Sequence, residues 1–244
     1  MTLVARHGAL TDIGLHRKTN EDTFVVRPPL YVVCDGMGGA SAGEVASGLA
    51  AETLAAEVAA ARPLLEAAEA ANTAVFRRAG ENPEQTGMGT TLTAFVVDGR
   101  AAHFVHIGDS RAYLLRDGEL GQVSDDHSLV GEMVREGRLT WKEAAEHPHR
   151  SILSRALGTE PDVAIDEFTT DLQPGDVLLL CSDGLSSEVT EAVLRDELAA
   201  ATPEDAARGL VAAARDAGGH DNITAVLIRA KVRPDLEQAK FSNG

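Results

Sequence analysis

Four aspartates stand where a carboxylate could act on a ligand. Val32-Val33-Cys34-Asp35-Gly36, His106-Ile107-Gly108-Asp109-Ser110 and Leu179-Leu180-Cys181-Ser182-Asp183-Gly184 each place one just past an apolar run, and His220-Asp221-Asn222-Ile223 places one just before such a run. Short apolar runs bounded by turn residues read as buried strands. A carboxylate at the end of one is fixed by a rigid scaffold while its oxygens still reach solvent. Several such ends brought together would crowd negative charge that cations must neutralise. Hard oxygen donors suit Mg2+ or Mn2+, whereas zinc calls for cysteine and histidine clusters. Cys34 and Cys181 stand alone, in no C-x-x-C arrangement, so neither a zinc cage nor a disulfide framework follows from them.

Each aspartate also has a plainer reading, because Asp-Gly is a preferred hairpin-turn pair. Asp98-Gly99 and Asp117-Gly118 each join two strand-like runs and are assigned to turns. Asp35-Gly36 differs, since Met37-Gly38-Gly39-Ala40 follows and a helical pattern then begins. Glycines there let the backbone approach a ligand closely, and the Gly36 carbonyl could itself coordinate a cation. Asp183-Gly184 also leads into a helical pattern.

The elements that must position these groups read as follows. Strand-like runs cover 3–13, 23–27 and 30–34, and Ala-rich helical patterns cover 42–61 and 63–79, broken at Arg62-Pro63 because proline cannot continue a helix. A β meander follows at 91–97, 102–107 and 112–115, then a polar, helix-compatible insert at 126–157. Strands are expected at 163–168 and 177–181, helices at 188–200 and 203–217, and a final strand at 223–232. Val189, Val193, Leu194 and Leu198 would share the apolar face of the first of those helices. Helix pairs set between runs of strands predict an α+β fold, sheets covered by helices, and not a strict βαβ alternation. A polar tail at 233–244 is expected to fray.

With 244 residues, the chain is long enough to bury one large core. A formal charge of −16 argues against a general nucleic-acid binder and against adhesion to an anionic membrane. No run approaches the roughly 20 apolar residues of a membrane span. The start lacks a basic-then-apolar secretory pattern, so a cytoplasmic, monomeric protein is expected.

The ordered set Thr11-Asp12-Ile13-Gly14-Leu15-His16-Arg17-Lys18-Thr19-Asn20-Glu21-Asp22, Asp35-Gly36-Met37-Gly38-Gly39, Gly89-Thr90-Thr91, Gly108-Asp109-Ser110-Arg111, Ser182-Asp183-Gly184-Leu185 and Gly219-His220-Asp221-Asn222-Ile223-Thr224 resembles the motifs of bacterial protein phosphatase 2C-type enzymes. The resemblance covers residues 3–231. It implies one catalytic domain over 1–232, built as a β-sandwich of two mostly antiparallel sheets flanked by helix pairs, with a flap at about 129–148. It implies hydrolysis of phosphoserine and phosphothreonine in proteins by water activated between two Mn2+ or Mg2+ ions, opposing Ser/Thr kinases. Phosphorylated proteins, including kinases and their substrates, would be the partners.

Carried over position by position, Asp35 resembles the carboxylate that bridges the two metals, with the Gly36 carbonyl on one of them. Asp183 and Asp221 resemble the remaining ligands of the other, and Glu21 and Asp22 would act through metal-bound water. Asp109 resembles the ligand of a third, weaker site shared with Asp183, and Arg17 the guanidinium that grips the substrate phosphate. One departure from eukaryotic relatives matters: Met37 stands where they carry a histidine thought to protonate the leaving oxygen. Methionine cannot donate a proton, which leaves metal-bound water near Asp109, or His127, as the general acid. A non-catalytic relative that binds phosphoproteins is the alternative to the enzyme.

Overall fold

In a computed structural model of the protein, residues 3–38 and 42–232 are described; Gly39 and Ala40 of the glycine-rich turn and the tail at 233–244 lie outside the described residues. Strands β1 (Leu3–Asp12), β2 (Asp22–Arg27) and β3 (Leu30–Met37) precede helices α1 (Ala42–Ala59) and α2 (Leu64–Glu81). A meander of β4 (Gly89–Thr90), β5 (Leu92–Asp98), β6 (Ala101–Ile107), β7 (Arg111–Arg116) and β8 (Glu119–Gln122) follows. Short helices α3 (Leu129–Arg135) and α4 (Trp141–Ala145) come next, then β9 (Asp166–Asp171) and β10 (Val177–Cys181). Helices α5 (Asp183–Ser186), α6 (Glu191–Leu198) and α7 (Pro203–Ala217) lead into β11 (Ile223–Val232).

Two antiparallel sheets form, ordered β1-β11-β10-β7-β8 and β2-β3-β5-β6-β9, with β4 beside β3. The period of two decides how they stack, because successive side chains point to opposite faces. On β3, Val32 and Cys34 enter the core under α1 and α2, while Tyr31 and Val33 face the other sheet. On β10, Leu179 and Cys181 pack under α6 and α7, while Leu178 and Leu180 face inward. Central strands are therefore apolar on both faces, and the layers run helix, sheet, sheet, helix. This is the α+β sandwich the sequence predicts.

The inner face carries an aromatic ladder. Tyr31 lies opposite Phe95 in the register, Phe95 opposite Phe104, and Phe104 opposite Phe168. The ring centroids are 4.9, 5.2 and 4.7 Å apart in turn. Each such pair adds about 0.5–1.5 kcal/mol beyond its buried area. The ladder fixes strand register, and register fixes which residues reach the sandwich edge.

Several elements differ from expectation. The helix predicted at 188–200 starts only at Glu191, because Thr190 caps it by accepting the Val193 N–H, and Val193 is left facing solvent. The strand predicted at 163–168 begins at Asp166. Asp183-Gly184, expected to lead into the helix at 188–200, instead opens a separate short helix, α5. Among the described residues no helix is long and apolar enough to cross a membrane.

Candidate metal centre

Asp22 and Asp35 lie directly opposite each other across the β2–β3 ladder, an arrangement that like charges ordinarily avoid. Asp35 is locked by its backbone: its N–H donates to Thr91 Oγ1, and its carbonyl accepts from the Thr91 N–H and Thr90 Oγ1, all at 2.9 Å. The Gly89-Thr90-Thr91 motif is thus a clamp on the strand end. Gly36 must be glycine, since a Cβ there would lie 2.1 Å from the Gly43 carbonyl oxygen at the start of α1. Gly43 in turn lies against the Glu21 carboxylate.

Asp183 opens α5 immediately after β10, Asp221 precedes β11, and Asp109 follows β6 through Gly108, whose φ is +106°. These carboxylates feel one another. Burial, then the charges of Asp22, Asp183, Asp109 and Asp221, hold the Asp35 carboxyl well above the usual range. Burial followed by Asp221 raises Asp183, and neighbouring Asp35 acts the other way. Burial, Asp183 and Asp126 push Asp109 to about 8 against the pull of Arg111. Burial also raises Glu21, opposed by Arg17.

Asp22 is the most enclosed of the set, 8% exposed, and is pushed to about 7 by burial and by Asp183 and Asp221. Its Oδ2 accepts hydroxyls from Ser182 at 2.7 Å and Thr224 at 2.6 Å, while its Oδ1 is buried without a hydrogen-bond partner. The hydroxyl chain has a direction. Asn20 Nδ2 donates to Thr11, so with the Thr224 proton committed to Asp22, the Thr11 hydroxyl donates to Thr224. Asn222 ties the same region together: its Oδ1 accepts the Glu21 N–H and its Nδ2 donates to the Ile13 and Thr19 carbonyls. Sequence reasoning assigned no role to Asn20, Ser182, Asn222 or Thr224. All four lie inside or beside the motifs, and the signal was their place next to the acidic residues.

Arg17 reaches this cluster from the loop after β1, with Nη2 on Asp221 Oδ2. Among the described residues no three His, Cys, Asp or Glu side chains close around one point as a ready cage. Asp221 is turned to Arg17. The donor chemistry nevertheless fits a hard divalent cation: the crowded groups are carboxylates, they raise one another's pKa, and Asp22 presents a buried oxygen with no partner. A cavity of about 470 Å³ opens from Asp109 and Asp183 toward the α3–α4 segment, where Trp141 lies over the Arg111 guanidinium.

His127 cannot serve as the general acid. It is fully buried, and its Nε2 is committed to Asp166. Both cysteines are also buried, Cys181 being pushed to about 12 chiefly by burial and Cys34 raised higher still. Thiols held in that form resist oxidation. Treatment with peroxide at neutral pH should therefore leave activity unchanged; a loss restored by dithiothreitol would show a redox-sensitive thiol.

A helix–sheet–sheet–helix protein with carboxylates crowded at one sandwich edge is the class these observations define. Residues 18–227 match the family described as protein phosphatase 2C. The serine/threonine protein phosphatase PstP of Mycobacterium tuberculosis is 42% identical over 233 residues, 93% of this chain and 45% of that protein, so the chain spans about half its length. The serine/threonine phosphatase stp of Listeria innocua is 38% identical over 89% of this chain and 93% of its own. The crystal structure of the PstP catalytic domain in complex with two manganese ions superposes with a TM-score of 0.87 at 39% identity, covering 95% of this chain and all of that one. The chain belongs to the protein phosphatase 2C family.

Proposed function

We propose that the protein is a metal-dependent phosphatase that removes phosphate from serine and threonine in proteins and so opposes Ser/Thr kinases. The observation that carries this reading is the meeting of Asp22, Asp35, Asp109, Asp183 and Asp221, from separate strand ends, beside Arg17. Its relatives in Mycobacterium and Listeria are named for that activity, and a PstP structure holds two manganese ions. One catalytic domain over 1–232 would carry the activity, with residues 129–148 as its flap, in a cytoplasmic monomer.

In this reading Asp35 and the Gly36 carbonyl, with Asp183 and Asp221, hold a pair of divalent cations, Mn2+ or Mg2+. Asp109 with Asp183 holds a third, weaker one, and Glu21 and Asp22 stand behind them. Such a pair, when bound, supplies an acidified water and neutralises charge on the phosphoryl oxygens. The protein's own contribution is placement. Strand ends locked by Thr90, Thr91 and Asn222 keep the carboxylates from relaxing away from one another, so the site is organised before substrate arrives. Arg17, 48% exposed, presents a planar fork of donors to the phosphate and orients it for in-line attack. With Met37 unable to donate and His127 committed elsewhere, the leaving oxygen takes its proton from water held near Asp109.

The direct test is hydrolysis of a chromogenic aryl phosphate with added Mn2+, with and without chelator, then release of phosphate from a phosphothreonine peptide. Both should proceed only with metal. No turnover while calorimetry shows Mn2+ bound would overturn the enzyme reading in favour of a phosphoprotein-binding module. Arg17→Ala should raise KM for the aryl phosphate about tenfold or more, the loss of a charge-assisted hydrogen bond. An unchanged KM would remove Arg17 from the phosphate site.

A further inference from the structure

Apart from the carboxylate centre, a dense set of buried polar contacts lies where the α3–α4 segment leaves and rejoins the sheets. His127 sits at its middle, fully buried. Its backbone N–H donates to the Gly108 carbonyl at 2.7 Å, and its Nδ1 accepts the Gly108 N–H at 3.2 Å. One residue therefore holds both polar backbone groups of Gly108, the left-handed residue that sets the direction of Asp109. A backbone N–H only donates, so Nδ1 carries no proton and Nε2–H donates to Asp166 Oδ2 at 3.1 Å.

The other Asp166 oxygen accepts from Arg155 Nη1 at 2.8 Å, and that nitrogen also donates to the Ala164 carbonyl at 3.0 Å. On the returning chain the Ser154 N–H donates to the His127 carbonyl and the Leu129 N–H to the Ile152 carbonyl, both at 2.9 Å. His127 thus closes the root of the α3–α4 segment and grips the residue before Asp109 at once.

We propose that His127 is a positioning residue that locks the Gly108–Asp109 turn and the root of the flap into one fixed relation, so that neither shifts without the other. The cavity between Asp109 and Trp141 then has walls of fixed spacing. The clamp itself stands on contacts alone; its effect on metal rests on the reading of Asp109 as a ligand.

Substitutions separate the two halves of the clamp. His127→Asn keeps an acceptor oxygen near the Nδ1 position but loses the donor to Asp166, whereas His127→Gln keeps a donor for Asp166 and releases the Gly108 N–H. Hydrogen exchange of the Gly108 and Ser154 amides in the metal-free protein reads the clamp directly. His127→Ala should speed both at least about tenfold. It should also weaken the weakest class of Mn2+ binding by calorimetry by roughly tenfold, as loss of a group supporting a ligand does. KM for a phosphothreonine peptide should rise more than KM for an aryl phosphate, because only the peptide reaches the flap. His127→Asn should restore Gly108 protection and Mn2+ affinity, and His127→Gln should not.

A folded His127→Ala protein with wild-type exchange and peptide KM overturns the proposal. Lost protection with unchanged Mn2+ affinity keeps the clamp and removes Asp109 from the ligand set. Where His127→Ala does not fold, Asp166→Ala serves, since that side chain is 40% exposed. It must then speed Ser154 exchange and raise peptide KM, and wild-type values for both overturn the proposal equally.

Discussion

Asp35→Asn should cost about three orders of magnitude or more in turnover and yet make the metal-free protein more stable. Asparagine keeps the shape of the side chain and one oxygen but no charge. If Asp35 binds both cations, losing its charge removes several kcal/mol of stabilisation from the charge that builds on phosphate, and each ~1.4 kcal/mol is a factor of ten in rate. Stability moves the other way because of the neighbours. Asp22 faces Asp35 across the ladder, and the charges of Asp183, Asp109 and Asp221 also bear on it. An amide removes that repulsion, and its N–H can donate to a neighbouring carboxylate such as Asp183, which lies close enough to interact with this position. A gain of about 1–3 kcal/mol would raise Tm in chelator by several degrees for a chain of this size. Calorimetry in chelator, paired with aryl phosphate kinetics in Mn2+, checks both halves. Turnover within tenfold of wild type, or a lower Tm in chelator, would take Asp35 out of the centre of the site.

That pairing of lost function with gained stability also explains what the sequence could reveal. Asp35, Asp109, Asp183 and Asp221 stood out because each breaks a local rule, putting charge at the end of a buried strand. The strands themselves were legible from apolar runs, and 177–181, 203–217 and 223–232 fall where the structure places β10, α7 and β11. Proline and glycine fixed the break between α1 and α2 and the turns at Asp98-Gly99 and Asp117-Gly118, the latter with φ of +52° and +84°. Strand β8 escaped notice because Glu119-Leu120-Gly121-Gln122 has no apolar run, being an edge strand with one partner. Helix α5 escaped because four residues carry no period.

The site was less legible than the fold for a different reason. Carboxylates announce themselves, but the hydroxyls and amides that aim them do not. Thr91 and Ser110 hydrogen-bond to each other at 2.7 Å, and Thr91 also holds the Asp35 amide. A threonine beside a strand-like run is too common to be read as part of a metal site. Asn222 looks like a turn residue until its three contacts are seen spanning about 200 positions of chain. His127 is the plainest case. Its place beside the expected flap suggested an acid, whereas its burial and fixed tautomer make it a structural brace.

Withdrawing metal should therefore expose a stability that falls as pH rises, opposite to the usual behaviour of carboxylates in folded proteins. Asp22 and Asp109 have folded-state pKa values of about 7 and about 8, above the unfolded value of about 3.9. The folded state then binds more protons than the unfolded state between those limits, so the contribution of these two acids to stability falls as pH climbs toward the folded values. Buried His106, lowered to about 4 chiefly by burial, opposes this below pH ~6.5, because folding there favours the neutral ring. Above that pH the imidazole is neutral in both states and only the acids titrate. From about pH 6.5 to 8.5 the chelated protein should lose roughly 2–3 kcal/mol, about 5–10 °C in Tm. Saturating Mn2+ should reverse the slope, since cation binding requires deprotonated carboxylates and strengthens as they ionise. Calorimetric Tm values at pH 6.5, 7.5 and 8.5, with chelator and with Mn2+, decide the matter. A flat or rising Tm in chelator would mean that the carboxylates do not crowd one another, and the reason to assign them a cation would go with it.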